Sequence, residues 1–421
     1  MASAPLVRLL FLLAFSLPVC AQGGSPDPIF AGIPFERWLE DAEPPQIPWK
    51  VDVTAHDLSR HQRLRASVRI QVDGKELVKR RGKSQLLMLV QFNDAAGQAY
   101  QIHNQFELNE VQDELRNADI VYTQEAWVVP GEYRVSLALL DSATGEHSAT
   151  RRTLRVPGLG KDPLPKMWRD LPPVEFLTTE DAADRWFLPS VAGRLNLPVA
   201  TRRPVHVTLL ANLSLSELTV NTPAAYSLNM SSLIPALKVL SQVQIQNGSL
   251  DLALLDVSRR RITFEQKDVR DVDWPELRKS LKDADPNKID VESLKNRKSN
   301  LEFLATEISR RIEASPRPEQ PQVFIVLSGP MAFEESERTR PVHPGRQSNS
   351  RVYYLRLNPW FGLGPRVRRG APGMIPRAPS RWAFDSLEGT LEAFKPRVFD
   401  VTTPIDFRKA LATLLEEISR L

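Results

Sequence analysis

The hydrophobic pattern changes once along this 421-residue chain, and that change constrains the fold more than any other feature. Between residues 49 and 156, apolar and polar side chains alternate, as they do in strands with one buried face. Beyond residue 204, continuous apolar runs alternate with amphipathic segments, which is typical of buried strands followed by helices. A proline-rich stretch, residues 157–200, separates the two patterns. The sequence therefore predicts two domains joined by a semi-rigid linker, which continues into a segment leading to the second domain.

The amino-terminal residues have the pattern of an export signal. Arg8 precedes an apolar run at residues 9–17, and Val19 and Ala21 provide small residues at a cleavage site. The run is far shorter than the ~20 residues of a membrane-spanning helix. We predict a signal peptide at residues 1–21 and an exported protein, periplasmic or extracellular, without a membrane span. A lipoprotein anchored through Cys20 is the alternative.

The next region, residues 22–48, is a proline-rich leader with one short amphipathic piece at residues 35–39 that could dock on the following domain. An immunoglobulin-like β-sandwich is predicted at residues 49–156, because short alternating segments are separated by turn signals such as Asp73-Gly74 and Pro130-Gly131. The predicted strands are residues 49–53, 64–72, 86–92, 99–106, 120–128, 133–140 and 150–156.

A doubly wound α/β domain with one antiparallel edge hairpin is predicted at residues 201–421. Its predicted strands are residues 204–211, 250–257, 261–265, 322–327 and 352–357. Its predicted helices are residues 232–243, 274–282, 300–312 and 403–421. Two insertions, near residues 334–350 and 358–380, interrupt the pattern; the first is polar and the second is rich in proline, glycine and arginine.

Ligands of open α/β sheets bind beyond the carboxyl ends of the strands. The loop after the first predicted strand of this domain contains Asn212, Ser214 and Ser216, spaced two residues apart. With the order of strands and helices, this spacing resembles the von Willebrand factor type A family, over roughly half the chain. The whole layout resembles A-related secreted proteins of bacteria. The resemblance implies a metal-ion-dependent adhesion site, in which a divalent cation takes a carboxylate from the partner.

This sequence departs from the family at the charged ligands. Asn212 stands where the family has a carboxylate, and a later strand ends in Ser328-Gly329 where the family has Thr-Asp. The family's loop threonine would fall near residues 283–290, which contain none. Because carboxylates supply most of the affinity for hard cations, we predict a degenerate site that binds no cofactor. Mg²⁺ held by Asn212, Ser214 and Ser216 is the alternative.

Composition gives little support to a nucleic-acid partner, because 55 basic residues nearly balance 51 acidic ones. We find no phosphate loop, dinucleotide fingerprint or nucleophile elbow, so no enzyme is predicted. The sequence predicts an exported binding or adhesion-type protein whose partner is a protein or a polysaccharide. The predicted binding loops lie at the carboxyl edge and contain Asn212, Ser214, Ser216, Ser328, Gly329 and Trp360. A structural or assembly component of the cell envelope is the alternative, and a hydrolase is a third hypothesis.

Overall fold

The computed structural model describes residues 27–41, 44–82, 85–177, 193–215, 223–282, 297–315, 317, 319–331, 349–358 and 385–421. The chain divides into two compact units. The first comprises the described parts of Met1–His56, Arg65–Pro157 and Pro172–Arg185, and the second those of Asp57–Leu64, Gly158–Leu171 and Trp186–Leu421. The predicted signal peptide and most of both predicted insertions lie outside the described residues.

The described part of the first unit contains two four-stranded sheets, in the orders β1-β2-β5-β8 and β4-β3-β6-β7. The strands are β1 (Trp49–His56), β2 (Leu64–Asp73), β3 (Gln85–Asn93), β4 (Ala99–Glu107), β5 (Asp119–Val128), β6 (Gly131–Asp141), β7 (His147–Val156) and β8 (Val174–Phe176). Strand β2 shows why the alternation predicts this unit, since Leu64, Ala66, Val68, Ile70 and Val72 are buried and the residues between them are not. Each strand predicted between residues 49 and 156 is present in these sheets.

Three short helices accompany these sheets. Helices α1 (Pro28–Ala31) and α2 (Phe35–Glu40) lie in the leader, and Phe30 and Phe35 pack against Leu89 and Ala138. The amphipathic piece predicted in the leader is therefore a docked helix. Helix α3 (Gly74–Lys79) begins where the sequence predicted a turn. It requires glycine at its first residue, because a Cβ on Gly74 would lie 1.8 Å from the Leu115 carbonyl oxygen.

The described residues of the second unit form a mixed six-stranded sheet with the order β13-β12-β10-β14-β15-β16, and a short β9-β11 ladder. The strands are β9 (Leu197–Val199), β10 (Val205–Asn212), β11 (Val243–Ile245), β12 (Gly248–Asp256), β13 (Arg261–Gln266), β14 (Gln322–Ser328), β15 (Ser350–Leu357) and β16 (Arg397–Val401). Strand β13 is antiparallel to β12, and the other pairs of the large sheet are parallel. The order reverses between β10 and β14, which is the switch point of a doubly wound sheet.

Helices cover both faces of the large sheet. They are α4 (Pro223–Ser241), α5 (Trp274–Lys282), α6 (Arg297–Glu313), α7 (Ser386–Leu391) and α8 (Pro404–Ser419). One apolar core joins the sheet to α4 and α8, and a second joins its other face to α6 and α7. Because parallel strands are buried on both faces, β14 has no exposed residue, as its continuous apolar run predicted.

Helix α4 begins nine residues before the predicted start at residue 232 and continues through Pro235. Proline has no N–H to donate to the carbonyl four residues earlier, which here belongs to Ser231. The guanidinium of Arg60 donates a hydrogen bond to that Ser231 carbonyl oxygen. A residue distant in sequence thus satisfies the group that Pro235 leaves without a helical partner.

The residues of the predicted linker are divided between the two units. Residues 158–171 belong to the second unit, whereas β8 belongs to a sheet of the first. Within the second unit, the fully buried Arg408 of α8 donates to both carboxylate oxygens of Asp162, at 2.5 and 2.7 Å. Arg408 also donates to the Leu164 carbonyl at 3.0 Å and lies 4.7 Å from the Trp168 ring centre. This cluster fastens the segment to α8.

Candidate binding site at the carboxyl edge of the sheet

The switch point brings two predicted site residues together. Asn212 ends β10 and Ser328 ends β14, and the two strands pair in parallel up to Ala211 and Leu327. Both side chains lie in the interior, with Asn212 1% and Ser328 0% exposed. This is the position at which open α/β sheets bind their ligands.

The backbone fixes the orientation of the Asn212 amide. The N–H of Ser214 donates to Asn212 Oδ1 at 3.0 Å, so the oxygen faces that loop. The amide nitrogen therefore faces the other way, where Nδ2 donates to Ser328 Oγ at 2.9 Å and lies 3.1 Å from Met331 Sδ. Ser328 in turn donates to the Gly329 carbonyl at 2.7 Å. Asn212 thus joins β10 to the loop after β14.

Ser214 is held by the neighbouring strand. Its Oγ donates to Asp256 Oδ1 at 3.1 Å and accepts from the Ser258 N–H at 2.9 Å. Asp256, at the end of β12, is 6% exposed. It also accepts from the N–H of Arg259 at 3.2 Å and contacts the Arg259 and Arg261 guanidinium groups at 3.2 and 3.5 Å.

A second carboxylate holds the loop after β14. Asp385 caps α7 and accepts hydrogen bonds from the Met331 N–H at 3.1 Å and from the Tyr354 hydroxyl at 2.9 Å. Burial raises the pKa of Asp385, and the hydrogen bonds from Met331, Tyr354 and Arg356 oppose that effect only in part. Complete burial raises the pKa of Tyr354 well above its usual range, so the hydroxyl remains a donor.

Arg356 supplies the positive charge of this cluster. Its Nη1 lies 3.3 Å from Asp385 and 2.8 Å from Glu388, and its Nη2 lies 2.6 Å from Asp400. Burial alone would lower the pKa of Arg356, but its hydrogen bond to Asp400 and the nearby carboxylates raise it. The guanidinium therefore stays charged and links β15 to α7 and β16.

The side-chain atoms at the switch point are not arranged as ligands of a divalent cation. A cation needs oxygen atoms with lone pairs directed at it. Asn212 instead directs its NH₂ group toward Ser328, and Ser214 Oγ already bonds Asp256 and Ser258. Among the described residues, no group of three or more His, Cys, Asp or Glu side chains could hold a metal.

The structure thus gathers four of the six predicted loop residues, Asn212, Ser214, Ser328 and Gly329. Ser216 and Trp360 lie outside the described residues. Sequence reasoning missed Asp256 and Asp385 as members of the cluster. Asp256 carries a usable signal, because it lies near the carboxyl end of the strand predicted at residues 250–257.

Comparison with known proteins gives no family. No protein-family model matches the chain, and no curated protein matches it. One similar solved structure is an X-ray structure of a Northeast Structural Genomics Consortium target, 17% identical, with a TM-score of 0.19; it covers 28% of this chain and 94% of that chain. Another, a crystal structure assigned as ApaA from Bordetella pertussis, is 11% identical with a TM-score of 0.18 and covers 28% of this chain and 100% of that one. TM-scores this low support no conclusion on fold or function.

A second polar cluster lies at the opposite, amino-terminal edge of the sheet. His206 of β10 pairs in register with Ser249 of β12, and its Nδ1 lies 2.8 Å from Ser249 Oγ. Its Nε2 lies 3.4 Å from Asp251 Oδ2. Burial alone would raise the pKa of Asp251, but hydrogen bonds from His206 and from the Asp268 N–H outweigh burial and lower it.

None of the helices within the described residues combines the length and the apolar character required to cross a membrane.

Replacing Asn212 with alanine should lower the free energy of unfolding by about 1–3 kcal/mol, because the Ser214 N–H loses its acceptor and the buried Ser328 loses its donor. Urea unfolding monitored by circular dichroism measures the change. Asn247→Ala is the matched control, since Asn247 is exposed at the other edge of the sheet, and we expect less than about 0.5 kcal/mol there. Equal effects of the two substitutions would contradict the joining role of Asn212.

Proposed function

We propose that the second unit is a von Willebrand A-like domain of an exported, non-enzymatic binding protein, and that it binds its partner at the carboxyl edge without a metal. The orientation of the Asn212 amide carries this proposal, because it uses the leading ligand position of the family's site for an internal hydrogen bond. The strand order and the antiparallel edge strand β13 support the assignment to that fold.

An immunoglobulin-like sandwich is proposed for the first unit, as a stalk or a second binding platform. The Tyr133 hydroxyl near the start of β6 donates to the Val129 carbonyl, four residues upstream, at 2.9 Å. A tyrosine that hydrogen-bonds to the preceding backbone in this way is typical of immunoglobulin-like domains. The amino-terminal signal pattern supports export.

Cation titration tests the metal-free proposal. Calorimetry with Mg²⁺ or Mn²⁺ should give no saturable heat, and neither cation should shift the melting temperature. The double variant Asn212→Asp with Gly329→Asp restores two carboxylates, and it should gain saturable Mn²⁺ binding. The added Cβ at Gly329 fits, with its nearest neighbour, Asn229 Oδ1, 3.5 Å away.

The matched control places the same two changes away from the edge, at Asn247→Asp with Gly160→Asp, both exposed positions. Saturable cation binding by the native chain would overturn the metal-free proposal. A restored variant that binds no better than the control would show that the ligand positions are assigned to the wrong residues.

A hydrolase is the second candidate, and the cluster of Ser249, His206 and Asp251 is the observation that favours it. In that reaction Ser249 Oγ would attack an ester carbonyl while its proton passes to His206 Nδ1. His206 would return the proton to the leaving alcohol, and water would then release the acid from the acyl-serine. Asp251 would stabilise the imidazolium.

Labelling with a fluorophosphonate, followed by peptide mass spectrometry, separates the two candidates. A hydrolase predicts a phosphonyl group on Ser249 that His206→Gln abolishes, whereas the binding protein predicts none. Ser67, whose Oγ lies 3.1 Å from His56 Nε2, is the internal reference for a Ser–His hydrogen bond in the first unit. Labelling of both serines to the same extent would exclude a special reactivity at Ser249.

A further inference from the structure

Three consecutive arginines follow β12 at the carboxyl edge of the sheet. A 3₁₀ turn, Val257–Arg259, leads through Arg260, in the left-handed conformation with φ of 50°, into Arg261 at the start of β13. Arg260 is exposed, and the side chains of Arg259 and Arg261 are 17% and 42% exposed. The turn therefore places three arginines, two of them in contact with Asp256, next to the loop that contains Ser214.

These arginines are arranged around a carboxylate within the fold. Asp256 Oδ1 accepts hydrogen bonds from the Arg259 backbone N–H and from Ser214 Oγ, and Asp256 Oδ2 contacts the guanidinium groups of Arg259 and Arg261. Asp256 is buried and contacts the side chains of Arg259 and Arg261, which are themselves partly exposed to solvent. The buried carboxylate therefore restricts the orientation of both side chains. Side chains oriented in this way lose less conformational entropy when a ligand binds.

We propose that this edge binds an acidic peptide directly, with its carboxylates held by Arg259, Arg260 and Arg261. This inference rests on the proposed metal-free function and names its partner class. A guanidinium presents donors in a planar fork that matches a carboxylate, and such charge-assisted bonds are about twice as strong as neutral ones. The guanidinium groups thereby supply the positive charge that the Asn212 site does not obtain from a metal.

A carboxylate partner is favoured over a nucleic acid for two reasons. The geometry around Asp256 already accommodates a carboxylate between two of the guanidinium groups. The whole chain carries a formal net charge of only +4, so it offers the long phosphate backbone of a nucleic acid little attraction beyond this turn, whereas a short acidic peptide needs only the turn itself.

The test uses the full chain and a fluorescein-labelled hexaglutamate peptide, with binding measured by fluorescence anisotropy at moderate salt in the presence of EDTA. The native protein should bind, and Arg260→Gln with Arg261→Gln should weaken binding about tenfold or more. Arg259 stays intact in this variant, so Asp256 keeps its main partner. Arg260→Lys with Arg261→Lys should give an intermediate loss, since lysine keeps the charge but not the fork.

The control Arg152→Gln with Arg155→Gln removes the same charge from exposed positions of β7 in the first unit, and we expect less than about a twofold change. Equal losses in the edge and control variants, unchanged binding by the edge variant, or no binding by the native chain either in EDTA or with Mg²⁺ in its place would each overturn the proposal. If hexathymidylate bound more tightly than hexaglutamate and depended on the same arginines, the partner class would be a nucleic acid and not an acidic peptide. Hexaglutamate binding that depends on the arginines but requires a divalent cation would instead overturn the metal-free function and leave the acidic partner class standing.

Discussion

Replacing Asp162 with alanine should lower the stability of the second unit by about 3–5 kcal/mol, which is the usual effect of leaving a buried charge without its partner. Arg408 has no exposed side-chain surface, and Asp162 supplies two of its hydrogen bonds. Burial alone would raise the pKa of Asp162, but hydrogen bonds from Arg408, the Leu164 N–H and Trp168 lower it. The carboxylate is therefore charged at neutral pH. Urea unfolding measures the loss.

Two further variants show whether that loss of stability comes from leaving the buried Arg408 without its partner. Asp162→Ala with Arg408→Met removes both charges and should recover a substantial part of the stability. Glu276→Ala breaks an exposed pair with Lys279 and should change stability by less than about 1 kcal/mol. If Asp162→Ala were as mild as Glu276→Ala, the attachment of residues 158–171 to α8 would not be a main source of stability.

Replacing Arg356 with methionine should destabilise the second unit by about 3 kcal/mol at neutral pH, because Asp385 stays buried without a cation. The pKa of Asp385 is already raised by burial and should rise further in the variant. A carboxyl group with a raised pKa in the folded state takes up a proton more readily than in the unfolded chain. The fold therefore gains stability from this group as the pH falls. The difference in the free energy of unfolding between the native chain and Arg356→Met should therefore become smaller toward acidic pH.

Urea unfolding at neutral and acidic pH measures that change. Arg356→Met with Asp385→Asn removes the buried charge, keeps an amide oxygen as acceptor for the Met331 N–H, and places an NH₂ group that can donate to the Tyr354 hydroxyl oxygen. It should recover stability at neutral pH. A deficit that grows toward acidic pH, or a double variant no more stable than Arg356→Met, would contradict the pairing of Arg356 with Asp385.

Local pattern was enough to predict most strands, because alternation and continuous apolar runs report directly on one-sided and two-sided burial. It missed β16, a short edge strand in which Arg397 and Asp400 are exposed, since such a segment has no clear periodicity. The start of α4 was also missed. The predicted helix already ran through Pro235, but the guanidinium that compensates for this proline belongs to the distant Arg60, which no local pattern reports.

The candidate site, too, could be predicted from the sequence only in part. Asn212, Ser214 and Ser328 could be predicted, because the ends of neighbouring parallel strands meet at one edge. The orientation of the Asn212 amide could not, since it depends on where the Ser214 N–H and Ser328 Oγ lie. The role of Asp385 depends on the packing of α7 beside the loop after β14, which no local pattern reports.

Electron paramagnetic resonance of Mn²⁺ tests whether the carboxyl edge binds its partner without a metal, because the six-line spectrum of the free ion weakens when the ion binds. With the native chain in excess over Mn²⁺, we expect the full signal of free Mn²⁺, whereas Asn212→Asp with Gly329→Asp should reduce it. Loss of the free signal with the native chain, restored by Asn212→Ala, would show that the carboxyl edge holds a metal and would contradict the metal-free proposal.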